Sequence, residues 1–311
     1  MPPAAGYAHP DFGRVYANLG EPVALAHCGG TLLRRPIPAT RQHDLVGCYP
    51  FFCCANWEAL GDDLAGLAQD DVSLVMVADP FVEGPEERLE PLFDFARPYK
   101  THYIADLSKP LASFVPSSRL REARNAARTL EVEVAPPGPT TVDEWLGLWR
   151  RSRHASQPSG QNDLSREAVE RLFGVPGVTI VRALDGERTV GMHVEVQQGD
   201  IVHGHFATYD PEHYGSGVST LLNVRELEHF ATRARFYNHG GVPGSDDRRT
   251  GLSRFKQAFS NTTRTAFLCG SILDASAYAR LTADGPAREP AFFPAYRALD
   301  RGRAAWQAEH E

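Results

Sequence analysis

The stretch that most constrains this chain runs from residue 178 to residue 239. Three strand-like runs, 178–183, 189–197 and 200–208, are separated by turn residues at Asp185-Gly186 and Gln198-Gly199-Asp200. Short loops of this kind join antiparallel neighbours, so the three runs read as a meander. A long helix over 219–235 follows, and then a short strand over 236–239. Two helices precede the meander. In the first, 141–156, Trp145, Leu148 and Trp149 face inward, and Thr141 with Glu144 fits a capping box. The second spans 165–173. A helix starting near Thr250 and a strand over 263–269 come last. This order predicts an α+β domain, with a mainly antiparallel sheet flanked by helices.

The short strand feeds a glycine-rich loop, Asn238-His239-Gly240-Gly241 with Gly244, Ser245 and Asp246 beyond it. The next helix carries Lys256 between Phe255 and Phe259. Glycines permit positive φ or a close backbone approach, and a loop that runs into a helix N-terminus suits an anion.

The first part of the chain has the same ingredients in weaker form. Residues 1–20 read as irregular. A hairpin is expected over 22–27 and 31–35, then a helix capped by Asn56 with Trp57, Leu60, Leu64 and Leu67 on one face, then a buried strand over 72–77. No cluster here carries chemistry. A basic helix over 119–129 follows, with Arg121, Arg124 and Arg128 on one face, a pattern suited to phosphate or carboxylate. The Pro136-Pro137-Gly138-Pro139 run marks an internal boundary. The expected organisation is 1–110, a connecting basic segment 111–140, and 141–311.

Composition narrows the function class. A net charge of -7 argues against a general grip on nucleic acid, and DNA is not expected as a partner. No apolar run approaches the ~20 residues of a membrane span. Five cysteines without CxxC spacing, together with an N-terminus that lacks the features of a signal peptide, predict a reduced, cytoplasmic protein. No metal is expected.

If the second turn centres on Gly199, His193 lies opposite His205 and Glu195 opposite His203. All four would then share one face as a polar patch. A carboxylate beside imidazoles can supply a general base.

The segments SRLREARNAA (118–127), NHGG (238–241), RFKQAF (254–259) and RTAFLCG (264–270) resemble the GCN5-related N-acetyltransferase (GNAT) superfamily, in particular its tandem-GNAT, Fem-ligase-like group. DLVGCYPFF (44–52) adds a weaker match. The resemblance implies two GNAT-like domains, the first degenerate and the second bearing the active cleft. It implies an acyltransferase that moves an acyl group to the amine or hydroxyl of a small-molecule or cell-envelope precursor. Acyl-CoA is the implied donor, with aminoacyl-tRNA (and so tRNA as a partner) as the alternative and a non-catalytic binding protein as a third reading. Glu195, His203, His205 and Lys256 are the implied catalytic residues. Phe206, Thr208, Tyr214, Gly215, Ser216, Gly217, Asn238, Gly240 and Gly241 would line the donor site, and Arg121, Arg124 and Arg128 would hold substrate. The donor loop departs from the family pattern at Glu212, which places an anion where a phosphate donor group is expected.

Overall fold

The structure is a computed structural model and describes residues 5–67, 71–155, 164–242, 251–283 and 292–297. In chain order its main elements are α1 (Pro10–Val15), β1 (Glu21–Leu25), β2 (Gly30–Pro36), β3 (His43–Gly47), α2 (Leu60–Ala65), β4 (Asp71–Val77), α3 (Pro85–Leu89), β5 (Phe95–Asp106), α4 (Ser117–Ala126) and β6 (Glu131–Ala135). They continue with α5 (Pro139–Ala155), α6 (Arg166–Gly174), β7 (Val178–Asp185), β8 (Arg188–Gln198), β9 (Ile201–Tyr209), α7 (Val218–Phe230), β10 (Phe236–Asn238), α8 (Gly251–Ala258), β11 (Thr262–Ile272) and α9 (Ala275–Thr282). The fold is α+β, with mixed, mainly antiparallel sheets flanked by helices.

The chain packs as two compact units. Unit 1 comprises Met1–Val15 and Lys100–Ala266; unit 2 comprises Tyr16–Tyr99 and Phe267–Glu311. These units cut the chain differently from the sequential division at 110 and 140. The first 15 residues go with the later unit, and the chain beyond Ala266 goes with the earlier one.

In unit 2, β1, β2 and β3 form an antiparallel meander, β3 and β4 run parallel, and β11 pairs antiparallel with β4. Asn56 caps the turn before α2 as its side chain predicts, accepting the Glu58 N–H. Leu32, Leu45, Leu60, Leu74 and Met76 fill the core. Buried carboxylates here are matched. Asp44 receives Arg35 Nε at 3.0 Å and Arg297 Nε at 2.8 Å, and Asp71 receives Arg34 at 2.7 Å. Asp63 accepts the backbone N–H groups of His27 and Cys28.

In unit 1 the strand order is β5-β10-β9-β8-β7-β6, antiparallel throughout except for the parallel pair β10/β9. Apolar residues of α4 and α7 pack on one face around Val181, Ala183, Val190, Val202, Leu221 and Tyr237. On the other face Trp145 of α5 and Phe173 of α6 stack edge to face, and Trp145 and Trp149 reach Phe206 of β9.

Several expectations need correction. Residues 5–15 are not irregular: a 3-10 turn over Gly6–Ala8 leads into α1. Strand β5 went unpredicted because Pro98 and Lys100 break its alternation. Helix α4 ends at Ala126, so Arg128 lies beyond it. The Thr141–Glu144 capping box does not form. Thr141 Oγ1 instead bonds Gly138, and Glu144 pairs with Arg182 of β7.

Candidate active site

Two irregularities in the meander decide which side chains meet. In the β8/β9 pair, Val196 lies opposite His203, Glu195 opposite Gly204 and Val194 opposite Phe206, so His205 is the extra residue of a β-bulge. The expected pairings of His193 with His205 and of Glu195 with His203 are therefore not formed. The hairpin turns on Gly199 and Asp200 together, which shifts the register by one residue and sends the side chains to opposite faces. The single polar patch becomes two buried clusters.

The first cluster lies on the α7 face. His193 Nδ1 is 2.7 Å from Glu226 Oε1 of α7 and 4.0 Å from Glu195 Oε1. His193 Nε2 meets the Tyr209 hydroxyl at 2.6 Å, and the Tyr237 hydroxyl donates to Glu226 Oε2 at 3.2 Å. Burial, and then the Glu226 carboxylate, drive the Glu195 carboxyl well above the usual range. Glu195 is therefore buried on the α7 face beside Glu226 and His193, apart from His203 and His205.

The second cluster lies on the α5 face, where β9 and β10 part. Their parallel pairing covers Phe236↔Ile201 to Asn238↔His203 and stops there. Beyond it, the chain turns to follow β5: Gly240 O accepts the Tyr103 N–H, and His239 N–H donates to Tyr103 O. The β9 edge from Gly204 to Tyr209 has no ladder partner on that side among the described residues. Asn238 sits at the fork. Its side-chain oxygen accepts the Gly240 N–H at 2.8 Å and lies 3.1 Å from His102 Nδ1, while its amide nitrogen is 3.1 Å from His203 Nδ1. Gly240 has φ +76, which a side chain would strain. The Tyr7 hydroxyl is 3.0 Å from His205 Nδ1, and its ring lies against His203 and His205 at 5.1 and 5.5 Å.

Burial lowers both histidines to about 3, with His102 and His205 adding to the effect on His203. Both imidazoles are therefore neutral near pH 7, and burial opposes their protonation. His239 is likewise lowered to about 3 by burial and then Lys256. Lys256 is lowered to about 8 by burial and the neighbouring Lys100. Lys256 Nζ donates to Gly241 O, and Lys100 Nζ to Val242 O at 3.0 Å, so two cations grip the carbonyls of the glycine loop.

The α7 N-terminus forms the third part. Gly217 takes φ +80 and supplies no side-chain cap, which leaves the first N–H groups of α7 directed at the preceding loop. Glu122 and Ala126 of α4 are the nearest residues to Gly217. Gly215 and Ser216 are exposed, as is Tyr214, whose hydroxyl approaches Ser152 at 3.4 Å. Glu212 pairs with Arg188 at 3.1 Å, and Arg188 also holds the buried Asp210 at 2.6 Å. The anion at 212 is thus offset by a cation on β8.

The structure brings His203, Asn238, Gly240, Gly241 and Lys256 into one neighbourhood around the fork, with His205 beside His203. Phe206 and Thr208 follow on the α5 side of β9, where Phe206 is covered by the two tryptophans. Arg121 and Arg124 of α4, and Arg128 beyond its end, are exposed, whereas the α4 residues beside Gly217 are Glu122 and Ala126. Gly244, Ser245 and Asp246 lie outside the described residues. Sequence reasoning missed Tyr7, His102 and Glu226. Glu226 left a signal, because it falls four residues from Leu222 and from Phe230 in an apolar helical stripe. Tyr7 left none, since it is 198 residues from His205.

A family model for an acetyltransferase (GNAT) domain matches residues 117–247. No curated protein matches the sequence. Among solved structures, FemX superposes with a TM-score of 0.66 at 11% identity, over 88% of this chain and 93% of its own. The C-terminal DUF2156 domain of an Agrobacterium fabrum protein assigned as a lysylphosphatidylglycerol synthetase gives 0.64 at 12% identity, over 90% and 91%. L-PGS from Bacillus licheniformis gives 0.60 at 11% identity, over 87% and 94%. At this identity the likeness is one of fold. Residues 117–247 thus match an acetyltransferase (GNAT) domain, and the chain as a whole has a fold similar to those of FemX and the lysylphosphatidylglycerol synthetase structures.

Proposed function

We propose that unit 1 transfers an acyl group from an activated ester or thioester to an acceptor amine or hydroxyl at the fork between β9 and β10. The observation that carries this reading is the unpaired β9 edge beside two buried neutral histidines. Backbone N–H groups on that edge would stabilise the oxyanion of a tetrahedral intermediate. His203 or His205 would take the acceptor's proton, with Tyr7 and Asn238 holding the two rings. Lys256 and Lys100 would fix the Gly240–Gly241 loop at the mouth of the fork. The α7 N-terminus would receive a donor phosphate, as in acyl-CoA.

Glu212 favours a second donor, aminoacyl-tRNA, because its carboxylate opposes a pyrophosphate at this loop even when paired with Arg188. The structural relatives named for lysylphosphatidylglycerol synthesis and FemX lend that reading support. The acceptor under either reading is a small molecule or an envelope precursor.

The test is a time course of donor loss. Purified chain is given acetyl-CoA or charged tRNA with a panel of amines and hydroxyl compounds. Consumption of one donor that depends on acceptor and on His205 supports transfer. Specific ligand binding with neither donor consumed would identify a non-catalytic binding protein instead.

A further inference from the structure

We propose that His193, Glu195 and Glu226 bind one divalent transition-metal ion of the zinc class between β8 and α7. The three residues each offer a ligand atom, and these atoms lie within 4.8 Å of one another. One imidazole and two carboxylates form a donor set that zinc accepts. His193, Glu195 and Glu226 are 4%, 1% and 0% exposed.

The cluster is incomplete as protein alone. Glu195 has only the Tyr237 hydroxyl near it and no well-formed hydrogen bond, and Glu226 Oε1 has no hydrogen-bond partner. His193 Nδ1 lies 2.7 Å from Glu226 Oε1 without forming a hydrogen bond to it. No Lys or Arg among the described residues pairs with either carboxylate. Two such carboxylates in an apolar core are costly unless a positive charge or protons compensate them. A dication would balance both.

The surroundings fit this occupant. If the Tyr209 hydroxyl accepts the His193 Nε2–H at 2.6 Å, the Nδ1 lone pair faces the carboxylates. Tyr237 donates to the second oxygen of Glu226 at 3.2 Å. Outer partners of this kind fix the orientation of metal ligands. The ion would tie the middle of β8 to the helix whose N-terminus carries the proposed donor loop. It reverses the expectation from sequence that no metal is held, and it does not depend on the acyl-transfer reading.

The full chain, purified from zinc-supplemented culture and dialysed, should retain one zinc per molecule by elemental analysis. Glu195→Gln and Glu226→Gln should retain less than about a tenth of that. A zinc-free wild-type protein whose melting temperature does not move on added zinc would overturn the site, and would leave shared protons as the compensation. Full zinc retention in both variants would also overturn it. Should the variants fail to fold, cobalt in the wild-type protein decides. Visible d–d bands without thiolate charge transfer support the site. A thiolate band would move the ion to the cysteines and contradict it.

Discussion

The two units share a strand plan and differ in what they bury. In unit 2 a meander ends in β3, α2 leads to a parallel β4, and an antiparallel β11 follows. In unit 1 a meander ends in β9, α7 leads to a parallel β10, and an antiparallel β5 follows. Yet β3 has five residues and β9 has nine. Beyond β3 the gap is closed by a parallel bridge from Phe52 to Ala78, with Phe51, Phe52, Cys53 and Cys54 all buried. Beyond His203 the β9 edge is open. The polar groups follow the same division. Asp44, Asp63 and Asp71 of unit 2 are all matched by arginines or backbone N–H groups. Among the described residues, the buried polar atoms without a hydrogen bond all lie in unit 1. One plan thus yields a unit whose buried carboxylates are matched and a unit with unspent polar capacity, which is where chemistry is to be sought.

Acid should break the units apart in stability first. His203, His205 and His239 sit at about 3 when folded against about 6.5 unfolded, so the unfolded chain binds more protons between those values. The stability these neutral rings confer is complete above about pH 6.5 and is lost as pH falls toward 3. The slope reaches about 1.4 kcal/mol per pH unit for each histidine. Denaturant titrations at stepped pH measure it, and a flat profile would show that these rings titrate normally.

Asp44→Ala should separate scaffold from chemistry. It strands Arg35 and Arg297 and should cost about 3–5 kcal/mol in urea unfolding while leaving donor turnover of the folded fraction intact. His205→Ala should do the reverse, lowering turnover by about 10²–10⁴-fold with a smaller loss of stability. Turnover that falls equally in both variants would erase the distinction between the units.

Tyr7→Phe removes only the hydroxyl that holds His205. A loss of about 1 kcal/mol, roughly fivefold in kcat/KM, is expected. Glu212→Gln should have the smallest effect. Removing one exposed anion near the α7 N-terminus should tighten acetyl-CoA binding by about two- to fivefold in calorimetry. Unchanged affinity would place the donor phosphates elsewhere.

Much of this was legible in the sequence, for reasons that can be named. The meander, its turns and the following helix were readable because apolar alternation and glycine turns are local signals. The side-chain constellation was not. A bulge at His205 and a two-residue turn at Gly199 and Asp200 leave no compositional mark, yet they move Glu195 and the two histidines to opposite faces. Tyr7, His102 and the return of β5 beside β10 depend on contacts across most of the chain. The positive φ allowed for at Gly240 is found there, and Gly217 adopts one as well.

The central claim is that one unit, not both, handles an acyl donor. Calorimetric titration of acetyl-CoA, and separately of a non-hydrolysable aminoacyl-tRNA analogue, tests it most directly in the wild-type chain and in Gly217→Asp. The account predicts one site per chain for one of the two donors, abolished by a carboxylate at the α7 N-terminus. Two sites per chain, or one site indifferent to Gly217→Asp, would contradict it.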